Sequence, residues 1–417
     1  MVERARVRGP RTAAASASAP SSKSCWGTLT VLVVAVVLSM LLLQQSLDGT
    51  RRISVHCLIR NLIVVLGAYL WHLGLVRLWH VVVALLLFEL VVEVLHQNGL
   101  SLDPYINKVI NFYRWGDVLW SSQRIKGGLD NYTEGRHECD PHAGIPGTQQ
   151  SKFEWMAAEG AIGRGSRVLE IGCGNGEFMR YVLSLGGTVV GLTPSPDQVR
   201  LLRREGLHVE LVDVWDIERH ASLHGAFDTV VMNGSTEHFL NVADGANDQP
   251  ARFARLFRLV DRCLDPSRAG RCVITAIHLH RDLAPYEMLQ MYLLERTYGG
   301  YYAQSPETYI DAAALSGFRV ITNQNRTIDY YIWARKIWYN IYAGIATDWR
   351  CALRTLADVP VFALNDPYYA HKLLHCLMST WSWQFDTPTT PLLAADDTPP
   401  TIHLWMTLER GAIQKGA

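Results

Sequence analysis

The chain has 417 residues, with 39 Lys+Arg against 39 Asp+Glu and a formal net charge of zero, so nothing in it points to nucleic acid as a partner. Hydrophobic residues make up 49% of it, which is high for a wholly soluble protein. Its eight cysteines are scattered without C-x-x-C pairs, a pattern of reduced thiols rather than of a disulfide framework or a zinc site.

In chain order, residues 1–25 form an Ala/Ser/Pro-rich tail carrying Arg4, Arg6, Arg8, Arg11 and Lys23, the composition of a disordered basic segment. Trp26 to Leu43 is an uncharged run close to the lower limit for crossing a bilayer. A secretory signal peptide is the competing reading, and no small-residue cleavage pattern follows to favour it. A second apolar block, Leu58 to Leu95, is interrupted by Arg60, His72, Arg77, His80, Glu89 and Glu93. As one helix it would exceed the thickness of a bilayer. The expectation is a span near Leu62 to Leu78 followed by an interfacial or substrate-facing helix to His96. A hairpin of two short spans is the alternative, with no turn signal seen between them. Residues 26–97 are therefore read as membrane-associated helices and 98–417 as one large α/β domain. The positive tail places the N-terminus in the cytosol, and two spans return the α/β domain to that face.

The most informative stretch is Val168-Leu169-Glu170-Ile171-Gly172-Cys173-Gly174-Asn175-Gly176. An apolar strand ends at an acid and a glycine-rich turn, and a helix-like segment, Glu177 to Leu185, follows at once. Glycines supply dihedrals that other residues resist, and the helix N-terminus aims free N–H groups at whatever lies over the turn. A second strand, Thr188 to Leu192, closes at Thr193 and follows at the spacing of a βαβ unit. A dinucleotide site would carry Asp or Glu at its end. Thr193-Pro194-Ser195-Pro196-Asp197-Gln198 stands there instead. Further strands are expected at Val209 to Val212, ending at Asp213, and at Phe227 to Met232, ending in Asn233-Gly234-Ser235-Thr236-Glu237-His238. A fifth, Cys272 to Ile277, follows a helix over Ala251 to Leu264. In such open sheets ligands bind at the carboxyl edge.

With these motifs in view, residues 100–410 resemble the cyclopropane-fatty-acid synthase family of S-adenosylmethionine-dependent enzymes, which includes mycolic acid and sphingolipid C9-methyltransferases. The family's "VLDIGCGWG", "GVTLSxxQ" and "FEHxG" segments correspond to VLEIGCGNG, GLTPSPDQ and TEHFL here. The resemblance implies a Rossmann-like class I methyltransferase fold, S-adenosyl-L-methionine as cofactor and a lipid as substrate. It implies cofactor contacts from Tyr132, Thr133, Glu170, Gly172, Cys173, Gly174, Gly176, Thr193, Pro194, Ser195, Pro196, Asp197, Gln198, Asp213, Val214 and Asn233. The same correspondence gives catalytic positions at Glu237 and Tyr331, with His238 beside the glutamate. Trp338 and Cys376 match further family positions.

The departures bear on the product. The family binds bicarbonate through a cysteine, a histidine, the glutamate and the tyrosine. Here the cysteine position is Glu134 and the histidine position Thr275, with Cys139, His278 and His280 nearby. Two of four ligands are absent, and a carboxylate at Glu134 repels an anion. When an alkene is methylated, a base must remove a proton, either from the new methyl to close a ring or from a neighbouring carbon to leave a branched alkene. Without bicarbonate, Glu237 is the remaining base, which favours methyl branching over ring closure.

The rest of the chain supports an apolar substrate. Tyr286, Tyr292, Tyr298, Tyr301, Tyr302 and Tyr309 lie between the fifth strand and a sixth over Phe318 to Thr322. A long aromatic-rich insert, Asp329 to Phe385, then opens what is usually a short hairpin before a last antiparallel strand, Ile402 to Leu408. Such an insert suits a lid and an acyl-chain tunnel. Expected, then, is a membrane-anchored lipid C-methyltransferase or cyclopropane synthase at the endoplasmic reticulum of a eukaryote or the cytoplasmic membrane of a bacterium. N-methylation of an amine or aminolipid headgroup is the alternative, and a catalytically dead scaffold the third. Neither metal ligands nor an oligomeric state is legible.

Overall fold

Continuous apolar runs make central strands buried on both faces, and here they pair, with an alternating edge strand, into one seven-stranded sheet. Its strands are β1 (Arg167–Ile171), β2 (Thr188–Thr193), β3 (Val209–Leu211), β4 (Thr229–Asn233), β5 (Arg271–Leu279), β6 (Phe318–Asn325) and β7 (Thr401–Arg410). The order is β3-β2-β1-β4-β5-β7-β6. The first five strands run parallel, and β7 lies antiparallel between β5 and β6, as expected for the last strand. The computed structural model describes residues 54–103, 107–113, 132–138, 140, 142–240, 245–383 and 400–411. The expected span Trp26 to Leu43, Cys139 and residues 384–399 lie outside them, as do the side chains of Trp338 and Cys376.

These residues fall into two compact units, one of Val55–Leu102 and the other from Asp103 onward with Ser54. In the first, helices α1 (Val55–His72) and α2 (Leu78–Gln97) pack side by side. Both are long and apolar enough to cross a membrane. The break falls earlier than the expected span end at Leu78. Gly74 adopts φ +71° and Leu75 N–H donates to Leu70 O at 2.9 Å, a glycine C-cap. The turn signal was thus the Leu73-Gly74 pair. The two helices approach so closely that a Cβ on Gly67 would lie 2.6 Å from a Val81 methyl, and His56 Nε2 meets Glu89 Oε1 at 3.0 Å.

In the second unit the sheet is covered on both faces. Alternation along each strand sends Leu169, Val230 and Ile274 to one core, with Phe253, Phe257 and Tyr309, and Val168, Val231 and Val273 to the other, with Met156, Phe178 and Trp405. Covering helices are α3 (Ile145–Glu159), α4 (Glu177–Ser184), α5 (Pro196–Arg204), α6 (Gly245–Cys263), α7 (Pro285–Tyr298) and α8 (Pro306–Leu315). Helix α6 starts before the expected Ala251 because Pro250 is accommodated within its early turns. The aromatic insert is three helices, α9 (Thr327–Thr347), α10 (Trp349–Asn365) and α11 (Tyr369–Trp383), spliced between β6 and β7. Among the described residues, Cys57, Cys173, Cys263, Cys272 and Cys351 are buried and form no disulfide.

Candidate active site

The carboxyl ends of β1, β2, β4 and β5 form one edge, and the sequence-derived residues gather there. The glycine loop leaves β1 with Gly172 at φ +79°, Gly174 at +52° and Gly176 at +77°, the last as N-cap of α4. Gly172 and Cys173 N–H both donate to Leu192 O of β2, at 2.9 and 3.1 Å, so the loop folds over the neighbouring strand. A Cβ on Gly172 would stand 2.5 Å from Ser235 Cβ, whereas one on Gly174 would meet nothing within 4 Å. The loop is therefore tight against β4 and open above its middle. Cys173 is a packing residue under Gly191, with its thiol pushed well up by burial.

Glu170, the acid at the end of β1, is buried, and its Oε2 has no hydrogen-bond partner. Burial pushes its carboxyl up to about 8, with Lys152 opposing. An orphaned buried acceptor beneath an open loop fits a bound polar ligand, so these residues suit the cofactor that the resemblance implies.

Beyond β2, Thr193 Oγ1–H donates to Gln198 Oε1 at 2.6 Å and accepts from Ser195 N–H at 3.2 Å. Ser195 caps α5, with Pro196 in its first turn, and Asp197 pairs with Arg200. Pro194 lies between them. The Thr-x-Ser-x-x-Gln pattern is thus a single hydrogen-bonded turn rather than a set of independent contacts. Asp213 Oδ1 accepts from Trp215 N–H at 3.0 Å and starts a short 3-10 helix on Val214, which is buried.

At the end of β4, Ser235 Oγ–H donates to Ile171 O at 2.8 Å. Glu237 follows on a short 3-10 turn. Its Oε1 accepts from Ile277 N–H of β5 at 2.8 Å, and its Oε2 lies 3.5 Å from Thr236 Oγ1. Burial raises its carboxyl to about 7 against the hydrogen bonds that would lower it. Glu237 as a whole is half-buried, with its carboxyl shielded from solvent. The Glu237 carbonyl accepts from Tyr301 N–H at 2.8 Å, and a Cβ on Gly300 would fall 2.3 Å from that same oxygen. His238 Nε2 meets the Tyr113 hydroxyl at 2.9 Å, and burial lowers its imidazole to about 4.

Tyr132 packs beside Tyr113, and Thr133 packs its methyl against Gly234. Two residues of α3 grip Thr133 from behind. Gln149 Nε2–H donates to Thr133 O at 2.6 Å, and Lys152 Nζ donates to Thr133 Oγ1. Lys152 also donates to Asn233 Oδ1 at 2.9 Å, which accepts from Thr275 Oγ1–H at 3.1 Å as well. Lys152 is fully buried, and its partner is Glu134 Oε1 at 3.6 Å. The same oxygen accepts from Trp405 Nε1–H at 2.7 Å and faces His403 Nε2 at 3.5 Å. Burial alone would raise the Glu134 carboxyl, but His403, Lys152 and the indole N–H together hold it below its usual range. Burial drives the His403 imidazole down to about 4, so it is neutral near pH 7 and Lys152 is the basic group paired with Glu134. Gln149, Lys152, His403 and Trp405 carried no motif. The one available signal was a Gln-x-x-Lys pair set into the apolar face of a helix with Phe153 and Met156.

A sequence profile described as "Mycolic acid cyclopropane synthetase" matches residues 132–351, more than half of the chain. The chain belongs to the mycolic acid cyclopropane synthetase family. Cyclopropane-fatty-acyl-phospholipid synthase from Escherichia coli (strain K12) is 31% identical over 125 residues, which is 29% of each chain. The match thus spans under a third of that relative's length. Among solved structures, the cyclopropane synthase MmaA2 from Mycobacterium tuberculosis superposes with a TM-score of 0.53 at 16% identity, over 74% of this chain and 99% of its own. Mycolic acid cyclopropane synthase CmaA1, complexed with SAH and CTAB, gives 0.52 at 17% identity over 74% and 99%. These likenesses establish the Rossmann-like fold expected from the sequence.

Two features of the site bear on its chemistry. First, Glu134 and Thr275 are committed to Lys152, Trp405 and Asn233, and they offer neither a thiol nor an imidazole, so the residues present do not fit a bicarbonate ion. His278 is buried with both ring nitrogens unpartnered and packs edge-on against Tyr309 at 4.6 Å. Second, Tyr331 on α9 turns toward Thr401 and the Arg281–Glu287 ion pair, while Tyr302, Tyr309 and Tyr330 share the surroundings of Glu237.

Proposed function

We propose that this chain is a membrane-anchored, S-adenosylmethionine-dependent methyltransferase that alkylates an unsaturated acyl or sphingoid chain of a lipid, by methyl branching rather than ring closure. The observation that carries this is the meeting of the shielded Glu237 carboxyl and a glycine loop at one sheet edge: Gly172 packs on Ser235, two positions before Glu237. Bound S-adenosylmethionine would supply an already activated methyl group, which leaves the protein the tasks of alignment and water exclusion. Glu170, Gly172 to Gly176, Thr193 to Gln198, Asp213, Val214, Tyr132, Thr133 and Asn233 would hold it.

Glu237 is the base. Ile277 N–H fixes its Oε1, which leaves Oε2 to take a proton from the alkylated chain. Near pH 7 the His238 imidazole is neutral, so it adds no competing positive charge. Tyr302, Tyr309 and Tyr330, which share the surroundings of Glu237, would offer ring faces to positive charge on a hydrocarbon, with Tyr331 beside Tyr302 and Tyr330 as a further aromatic wall. Helices α9 to α11 close the site as a lid over the acyl chain. The basic tail 1–25 and the membrane region 26–97 keep the 98–417 domain on the cytosolic surface of the bilayer, where the lipid is.

Lipid mass spectrometry on cells that express the chain and are fed methyl-labelled methionine tests this, with Gly174→Asp as control. The expected product is a labelled acyl or long-chain-base species heavier by one CH₂, with its double bond retained. Loss of the double bond would indicate ring closure. Label confined to headgroups would indicate amine methylation, and no labelled lipid would refute the assignment.

A further inference from the structure

Lys152 is a fully buried ammonium whose nitrogen touches Thr133 and Asn233, two walls of the proposed cofactor site. An unpaired charge at that depth would be costly, and Glu134, itself buried, is the carboxylate that pairs with it at 3.6 Å. We infer that the Glu134–Lys152 pair is the charge selector of this site: Glu134 cancels the ammonium, so that a cationic sulfonium can be held beside Lys152 as well as its neutral thioether product. The inference rests on the assignment of S-adenosylmethionine to the site.

The electrostatic surroundings leave this task to Glu134. Lys152 faces Glu134, Glu170 and Glu237. Burial lowers the Lys152 ammonium, with those three carboxyls opposing it. Glu170 is raised to about 8 and Glu237 to about 7, so the first is mostly protonated and the second half so at neutral pH. Glu134 faces His403, Lys152, His137, Tyr330 and Glu237. His137 and His403 are both driven to about 4 by burial and are neutral there. Of the three carboxyls facing Lys152, Glu134 alone is held below its usual range.

Calorimetric binding of S-adenosylmethionine and S-adenosylhomocysteine to the full chain in detergent tests the pair without any turnover. The readout is the ratio of the two affinities. In Glu134→Gln the uncompensated ammonium should weaken the sulfonium about tenfold relative to the thioether. That penalty should shrink as pH rises and Lys152 gives up its proton. In Lys152→Met the bare carboxylate should move the ratio the opposite way, and the double variant should return it toward wild type. A purely structural role would weaken both ligands together and leave the ratio unchanged. Unchanged ratios, or shifts of the same sign in both single variants, overturn the inference. If Glu134→Gln fails to fold, the sign of the shift in Lys152→Met decides. Wild-type protein that binds neither ligand would overturn the cofactor assignment, and this inference with it.

Discussion

The backbone N–H of Ile277 on β5 donates to Glu237 Oε1 at 2.8 Å, so the strand beside β4 sets the direction of a carboxyl carried on the turn that follows β4. The bond needs an acceptor, not a charge. Glu237→Gln keeps that acceptor through its amide carbonyl and should leave the fold and S-adenosylhomocysteine binding near wild type. Methyl transfer should fall on the order of a hundredfold or more. Equal loss of binding and turnover would mean that Glu237 is structural.

Because burial raises Glu237 to about 7, its basic form is lost on acidification through neutrality. Turnover should rise with pH up to about 7 and then level, with a loss approaching tenfold per unit below it. A rate profile in detergent between mildly acidic and mildly alkaline buffer checks this. A flat acid limb would remove Glu237 as the base.

Gly300 lies against the Glu237 turn, and a Cβ there would be 2.3 Å from the Glu237 carbonyl oxygen, a backbone atom that cannot swing away. Gly300→Ala should displace the turn, lowering turnover more than cofactor affinity and costing about 1–3 kcal/mol of stability. Gly147, inside α3 with nothing within 4 Å of its Cβ position, is the matched control. Gly147→Ala should be neutral or stabilising by up to about 1 kcal/mol. Thermal melts with paired rate measurements distinguish the two, and similar effects at both sites would count against the close packing at Gly300.

Glu170 holds its proton to about pH 8 when folded, against an ordinary value of 4.5. Between those values the unfolded chain has already released the proton, so folding stability falls as pH rises. Glu170→Gln removes that loss. Its melting temperature should exceed wild type by more at pH near 8 than at pH near 5, with ligand-free protein in both cases. The same increment at both pH values would show that Glu170 ionises normally.

The parts of the fold legible in the sequence are those encoded locally. A glycine at φ +79° must follow β1 where the chain turns over Leu192, and Thr193, Ser195 and Gln198 bond one another within a single turn. Their spacing therefore announces them. Continuous apolar runs marked the parallel strands for the same reason. The helix break at Gly74 was equally local, yet the expected span ran past it to Leu78, because the apolar run continues through Leu75 and Val76.

Only the tertiary structure decided which side chains share the buried centre. Glu134 meets Trp405 across 271 positions of sequence, and Lys152 joins Asn233 across 81. Periodicity reports which face of an element is covered but not what covers it, and a buried charge accepts its partner from any element that reaches it. By itself the sequence determined the sheet, the glycine loop and the carboxylate at Glu237. The close packing of α3, β4 and β7 determined that Lys152 and Glu134 stand together behind them.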